Sequence, residues 1–244
     1  MTEMQKRFED LANRSFERGY TVYTDFLGLS EISELCAIRF SVPVTLWGGF
    51  SDSERVVACF GERSYFTDNK DYPIECILIE PVNQKFADKL SHRDFLGSLM
   101  GLGIRREMLG DIIITENCGY LFCIDSLSDY IVDNLTQVKH TTVKCRVVEE
   151  ISQNALPQPE KEEHIVSSER LDVLVSALYN MSRSRAQILF NQEKVFVNGV
   201  SKSGSFVAKV GDKISVRGYG RFIYNGVLRR TKKDRCVVEL LIYK

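Results

Sequence analysis

Residues 170–217 have the sequence RLDVLVSALYNMSRSRAQILFNQEKVFVNGVSKSGSFVAKVGDKISVR. This stretch predicts two short helices, the second of them within residues 181–191 and capped by Ser182 or Ser184. The apolar positions at helical spacing are Leu171, Leu174, Val175 and Leu178 in the first helix, and Ala186, Leu189 and Phe190 in the second. Because those positions must face a core, the first turn of the second helix exposes Arg183 and Arg185.

A small antiparallel sheet is predicted after these helices. Residues 194–200 alternate between apolar and polar types and contain the pair Asn198-Gly199, which favours a tight type I′ hairpin. A second turn at Gly211-Asp212 opens a strand over residues 213–217. Two short helices packed on such a sheet, with arginines on the exposed helix, form a compact surface for structured RNA.

Positive charge is concentrated in this part of the chain. Residues 165–244 contain 15 Lys and Arg against 6 Asp and Glu, whereas residues 1–164 contain 17 against 27, and the net charge of −1 hides the difference. Clustered cations release counterions from a phosphate backbone, so a basic module beside an acidic body is typical of a protein that binds a polyanion.

The motifs Arg-Leu-Asp, Ser-Arg-x-x-Ala, Val-x-Val-Asn-Gly and Gly-Asp-x-Ile-x-Val follow one another at suitable spacing. In this order they resemble the S4 RNA-binding domain, across roughly residues 168–217. The resemblance implies RNA contacts at Arg170, Arg183, Arg185 and Lys194. Further cations of the basic module that we predict to extend this RNA-binding surface are Lys202, Lys213, Arg217, Arg221, Arg229 and Arg230. The tail also has aromatic rings, Tyr219 among them, which could stack on bases, although Phe222 and Tyr224 also fit a core.

One departure from the S4 pattern lies at the exit of the second helix. Many S4 domains have glycine before the Lys-Val strand, but this chain has Gln192-Glu193. The helix must therefore end without the residue that best tolerates a left-handed backbone.

The middle of the chain predicts a β-α-β-β-α-β order. Its predicted elements are a strand over 75–80, a helix over 91–102, strands over 111–115 and 120–124, a helix over 128–138 and a strand over 143–148. This order is that of the ferredoxin-like, or RRM-like, α/β plait, with Glu116–Gly119 as the turn between the central strands. Tyr120 and Phe122 alternate on the third strand, where core positions are favoured over base stacking because the RNP aromatic pattern is missing.

The first 72 residues predict a small α/β unit. Thr2 and Gln5 have the spacing of a capping box for a first helix that ends at Gly19, and Ser30 is expected to cap a second. Strands are predicted on both sides of Gly48-Gly49. We therefore expect an α+β protein with an N-terminal region over 1–72, a plait domain over 73–150, a linker over 151–167 and a basic module over 168–244.

The composition excludes several classes of protein. The seven cysteines are scattered without a Cys-x-x-Cys pair, and with three histidines they form no metal pattern. We expect no metal and no cofactor, with the cysteines as reduced, mostly buried residues. Residues 1–7 contain no apolar stretch of the kind that a signal peptide needs, and we expect a cytoplasmic protein without a membrane partner.

The body resembles the YlmH family of bacterial S4 proteins. The resemblance is carried by SHRDFLGSLMGLGIRREMLGDI at residues 91–112, by YTDFL at 23–27 and by VRGYGRF at 216–222. It implies a plait-like RNA-binding domain, a C-terminal S4 domain, and a role in ribosome-associated quality control, with genes often placed among cell-division genes. From it we expect a protein that binds ribosomal RNA or tRNA on the large ribosomal subunit and makes protein contacts through its acidic body.

Two further hypotheses remain open from the sequence. Arg105 and Arg106 lie in the loop before the central strands and could contact phosphate, or could be solvated surface cations. The expected protein is not an enzyme, and the alternative is an RNA-modifying enzyme whose S4 module delivers substrate to the body. That alternative predicts a pocket in the body with converging polar groups.

Overall fold

The computed structural model describes residues 2–62, 71–115, 118–149, 151, 155, 156 and 158–243. The chain divides into two compact units, Met1–Leu156 and Pro157–Lys244. Both units combine helices with antiparallel sheets, which confirms the predicted α+β class.

The first elements of the N-terminal unit form a three-stranded sheet in the order β1-β3-β2. They are α1 (Glu3–Arg18), β1 (Val22–Leu27), α2 (Leu29–Cys36), β2 (Val44–Trp47) and β3 (Val56–Phe60). The predicted capping box of α1 is present, since Thr2 and Gln5 bond each other's backbone N–H groups, and Gly19 ends the helix with φ of 66°.

The prediction that Ser30 caps α2 was wrong. The cap residue is Gly28, whose N–H donates to the Glu31 carboxylate at 2.7 Å. A side chain that reaches back from inside the helix can satisfy the first N–H group when the cap residue has no side chain.

The plait occupies the second half of this unit. Its elements are β4 (Ile74–Pro81), α3 (His92–Gly101), β5 (Leu109–Thr115), β6 (Cys118–Ile124), α4 (Ser128–Asn134), β7 (Gln137–Val138) and β8 (Thr141–Val148). The strand order β5-β6-β4-β8-β7, antiparallel throughout, contains the four-stranded ferredoxin-like arrangement. Of the turn predicted over Glu116–Gly119, Cys118 and Gly119 belong instead to β6, where Cys118 pairs with Thr115, while Glu116 and Asn117 lie outside the described residues.

The helix predicted over residues 128–138 is shorter than expected. It ends at Asn134, and Gln137–Val138 instead pairs with the start of β8. Val138 is fully buried in the plait core, and because an apolar residue fits the buried face of a helix or of a strand, its character could not distinguish the two.

The two sheets of the N-terminal unit share a core. Phe26 and Val57 of the first sheet form one buried cluster with Ile113 and Phe122 of the plait. Gly49 lies so close to Phe122 that an added Cβ would be 2.2 Å from its ring, and its φ is +102°. Phe122 is therefore a core residue, as the sequence favoured.

An arginine reinforces this shared core. The half-buried guanidinium of Arg55 donates from Nε to the Leu109 carbonyl and from Nη2 to the Phe26 carbonyl, each at 2.9 Å. The Asp111 carboxylate accepts the N–H groups of Glu54 at 2.6 Å and of Arg55 at 3.3 Å. Burial lowers the pKa of Arg55, while the carboxylates of Glu31 and Asp111 oppose that shift. Arg55 thus joins the first sheet to β5, the edge strand of the plait.

The C-terminal unit is a six-stranded antiparallel sheet with two helices packed on one face. Its elements are β9 (Glu160–Val166), α5 (Leu171–Leu178), α6 (Arg183–Asn191), β10 (Val195–Val197), β11 (Val200–Ser201), β12 (Lys213–Val216), β13 (Gly220–Arg230) and β14 (Cys236–Tyr243). The strand order is β11-β10-β12-β13-β14-β9. The core contains every apolar position predicted to face inward from α6, together with Phe222 and Tyr224 of β13.

Part of the predicted linker is a strand. Residues 160–166 form β9, which pairs with β14 from Cys236↔Val166 to Ile242↔Glu160. Its charged sequence did not predict a strand, because an edge strand needs a partner backbone on one side only, and charged side chains are common at such edges.

Candidate nucleic-acid interface

The N-terminus of α6 presents two arginines to solvent. Ser182 caps the helix, its hydroxyl accepting the N–H of Arg185 at 3.2 Å. Arg183 and Arg185 are exposed because the opposite face of the helix is buried in the core. Among the described residues, no carboxylate lies within ion-pair distance of either guanidinium. Two uncompensated cations beside the positive end of a helix dipole form a favourable site for phosphate.

Lys194 directly precedes β10 and Lys202 directly follows β11, and both lysines are half-buried. The Lys202 ammonium is 5.5 Å from the centre of the Phe206 ring, a cation-π distance. Neither lysine has an ion pair within the part of the chain that the structure describes. Their charges therefore add to those of Arg183 and Arg185.

Two further arginines belong to the β12–β13 hairpin. The Arg217 guanidinium lies over the Phe196 ring at 5.5 Å, and that of Arg221 over the Tyr243 ring at 4.3 Å. Arg221 aligns across the sheet with Ser215 and Tyr243, on the face opposite to the helices, since its neighbour Phe222 lies in the core. Lys213 of β12 is exposed.

Three of the predicted contact residues are already paired with carboxylates. Arg170 makes a bidentate ion pair with Asp172, in which Nε and Nη2 each donate to one carboxylate oxygen at 3.0 Å. Arg229 bonds Glu163 at 2.8 Å and holds the pKa of that carboxyl below its usual range. Arg230 bonds Asp234 at 2.7 Å. A phosphate would have to compete with each carboxylate, so these arginines rank below Arg183 and Arg185 as RNA contacts.

The two arginines of the plait loop differ in their surroundings. Arg106 is half-buried and donates from Nη1 to the carbonyls of Leu109 at 2.6 Å and Gly110 at 3.2 Å. Burial lowers the pKa of Arg106, and the nearby Arg55 charge lowers it further. Arg105 is exposed. Of this pair, Arg105 has the position that a second phosphate contact requires.

Glu193 adopts, just after the end of α6, the left-handed backbone conformation that glycine usually adopts in S4 domains. Its backbone is left-handed, with φ of 51°, and its N–H donates to the Phe190 carbonyl at 3.0 Å. A residue with a Cβ is strained in this conformation. The S4-like turn is thus kept at a cost in stability.

We expect Glu193→Gly to raise the free energy of unfolding of the C-terminal unit by about 0.5 to 1 kcal/mol, because glycine removes the strain but gains freedom when unfolded. Calorimetry on the transition of that unit measures the change. Glu193→Ala is the control, since it removes the same charge and keeps the strained Cβ. Equal stabilisation by both variants would assign the effect to charge and contradict the backbone explanation.

The N-terminal unit has a cavity of about 300 Å³, whereas the RNA-modifying alternative predicts a pocket in which polar groups converge. It is lined by Phe16, Tyr20, Ser15 and Glu62 among others, and its lining residues, all of them described, include no histidine, cysteine or lysine. The Ser15 hydroxyl is already used in the fold, since it donates to the main-chain carbonyls of Tyr20, at 2.8 Å, and Phe60, at 3.0 Å.

Within the described ranges, no group of three His, Cys, Asp or Glu residues is placed to hold a metal ion. Nor does any helix there have the length and apolar character to span a membrane.

Comparison with known proteins adds independent findings. A family model described as "Putative RNA-binding domain in YlmH" matches residues 67–152, which include the plait. The "Ribosome-associated protein quality control protein P2" of Bacillus subtilis (strain 168) is 30% identical over 220 residues, covering 87% of this chain and 83% of that protein. The solved structure named "Cell division protein ylmH from Streptococcus pneumoniae" is similar in fold, with a TM-score of 0.51 and 17% identity over 61% of this chain and 93% of that one.

Proposed function

The chain belongs to the YlmH family, and we propose that it is a non-enzymatic RNA-binding protein that acts on the ribosome through its C-terminal unit. The observation that carries the proposal is the N-terminus of α6, where Arg183 and Arg185 are exposed beside a capped helix end. Cations without a carboxylate partner keep their full charge for an RNA phosphate.

The finer parts of the proposal rest on the relatives. The B. subtilis relative is named for ribosome-associated quality control and the S. pneumoniae protein for cell division. We propose that this chain works in the cytoplasm in ribosome-associated quality control, with structured ribosomal RNA, tRNA or both as its ligand on the large subunit. We also propose that the acidic N-terminal unit contacts other proteins and that the function of this chain is linked to cell division.

The proposed mode of binding predicts a strong dependence on salt. Among the predicted RNA contacts, Arg183, Arg185, Lys194 and Lys202 have no ion pair within the described residues. If each meets one phosphate, the slope of log K against log salt should be about −3, since each neutralised phosphate contributes about 0.7 to 0.9. Fluorescence anisotropy with the full-length protein and a labelled RNA stem-loop measures this slope. Association that does not change with salt, or no association, would contradict the proposal.

A separate measurement distinguishes binding from modification. The same stem-loop is incubated with the protein and its nucleosides are then analysed by mass spectrometry. We expect the mass of every nucleoside to stay unchanged, and any new nucleoside would support the enzymatic alternative instead.

A further inference from the structure

An exposed tyrosine lies at the tip of the β12–β13 hairpin. Val216 pairs with Gly220, so that Arg217, Gly218 and Tyr219 form the turn between them. The N–H of Tyr219 donates to the Val216 carbonyl at 2.9 Å, and Gly218 and Gly220 have φ of +83° and +111°. These left-handed glycines allow a turn tight enough to place Tyr219 at its tip.

The ring of Tyr219 is held by a chain of aromatic contacts. Its centre is 5.3 Å from that of Tyr179, which in turn meets Phe222 edge-on at 6.4 Å. Phe222 is fully buried in the core, whereas Tyr219 remains 39% exposed. The Tyr219 ring is therefore partly exposed and held in place by its contact with Tyr179, on the helix side of the sheet. An aromatic ring fixed in this way loses little freedom when a flat ligand stacks on it.

Positive charge lies close to this ring. Tyr179 ends α5, and the chain then turns at Asn180, with φ of 47°, before Ser182 caps α6 and exposes Arg183. Arg217 belongs to the same turn as Tyr219, but its guanidinium lies over the Phe196 ring. Tyr179, which the Tyr219 ring contacts, thus lies four residues before Arg183, one of the cations that carry the proposed phosphate contacts.

We propose that Tyr219 is a stacking platform for an unpaired base of an RNA whose phosphates are held by the N-terminus of α6. This inference rests on the proposed function and specifies its ligand. In a continuous stem every base is already stacked on its neighbours, so the ring has access only to a base that leaves the helix at a bulge, loop or end. RNA offers both a flat base, which can stack on Tyr219, and phosphates, which can bind the arginines of α6.

Two RNA hairpins test the inference with the full-length protein. One carries a single bulged adenosine in its stem, and the other has the same loop and ends with the stem fully paired, so that the two differ only in the bulged base. We expect the protein to prefer the bulged hairpin on the order of tenfold, because stacking on a protein ring is worth about 1 to 3 kcal/mol per base. Tyr219→Leu keeps an apolar side chain against Tyr179 but has no ring, and should abolish the preference with affinity for the paired hairpin retained. Tyr219→Phe should keep the preference.

A second readout reports on stacking directly. With 2-aminopurine in place of the bulged adenosine, the wild-type protein should quench its fluorescence and Tyr219→Leu should not. Tyr20→Leu is the matched control, since Tyr20 is 47% exposed in the N-terminal unit. It should leave both the preference and the quenching intact.

The two proposals fail in different ways. Salt-dependent binding with equal affinity for both hairpins, or a preference that survives Tyr219→Leu, would overturn the stacking platform and leave the proposed function standing. Absence of salt-dependent binding to either hairpin would overturn the proposed function and this inference with it.

Discussion

Replacing Arg183 and Arg185 together by alanine is expected to weaken RNA binding by about 2 to 3 kcal/mol, or roughly 30-fold to 150-fold in Kd. Each arginine contributes a charge-assisted contact to phosphate, and neither has a carboxylate partner among the described residues that would offset the loss. Both side chains are exposed, so the fold should tolerate the change. Anisotropy titration with the RNA stem-loop at constant salt measures the effect.

The matched control is the pair Lys232→Ala and Lys233→Ala. These lysines are exposed in the turn between β13 and β14, and their removal changes the net charge of the chain by the same amount. If binding depends on the position of the cations, this control should lose about threefold or less in affinity, because salt screens an exposed charge that makes no direct phosphate contact. An equal loss from both double variants would show that net charge, and not the end of α6, determines binding.

The arginines of α6 were predictable because a local pattern determines their environment. The apolar spacing of Ala186, Leu189 and Phe190 defines the buried face, and Ser182 defines the first turn. Together these features place Arg183 and Arg185 on the outside without any long-range information. The strands of the plait were predictable for the same reason, since their apolar runs are bounded by turns.

The rest of the interface depends on contacts between distant parts of the chain. Arg229 was predicted as an RNA contact, yet its partner Glu163 lies 66 residues earlier, on a strand that the charged sequence concealed. Arg106 was a candidate phosphate contact, but the fold directs its guanidinium toward main-chain carbonyls. Such pairings depend on strand order and packing, and the periodicity of a single sequence does not predict either.

The shared core of the N-terminal unit was likewise hidden from the sequence. The residues that build it, such as Phe26 and Phe122, are spaced for two separate sheets and show no sign of a common partner. Arg55 directly precedes β3, whose residues are all apolar, and a charged residue just before a strand usually indicates a solvated end. Its hydrogen bonds to Leu109 and Phe26 instead make it a structural link between the two sheets.

Arg55→Met is expected to lower the free energy of unfolding of the N-terminal unit by about 2 to 4 kcal/mol. Methionine retains much of the apolar stem but removes the guanidinium donor of the Phe26 carbonyl and leaves Arg106 as the side-chain donor to the Leu109 carbonyl, in a site where water cannot fully replace Arg55. The single tryptophan, Trp47, packs against the shared core, so its fluorescence during urea unfolding follows this unit.

The same substitution at Arg7 separates this link from a general effect of losing an arginine. Arg7 bonds Asp25 at 3.2 Å, but its side chain is 51% exposed, and an ion pair of that kind contributes about 0.5 kcal/mol or less. Arg7→Met should therefore leave the urea midpoint almost unchanged, while Arg55→Met shifts it strongly toward lower urea. If both variants shifted the midpoint equally, the bonds from Arg55 to the two carbonyls would not be what joins the sheets. If the difference is as large as expected, the N-terminal sheet and the plait unfold together, because the shared core of Phe26 and Phe122 depends on the strand edges that Arg55 holds in place.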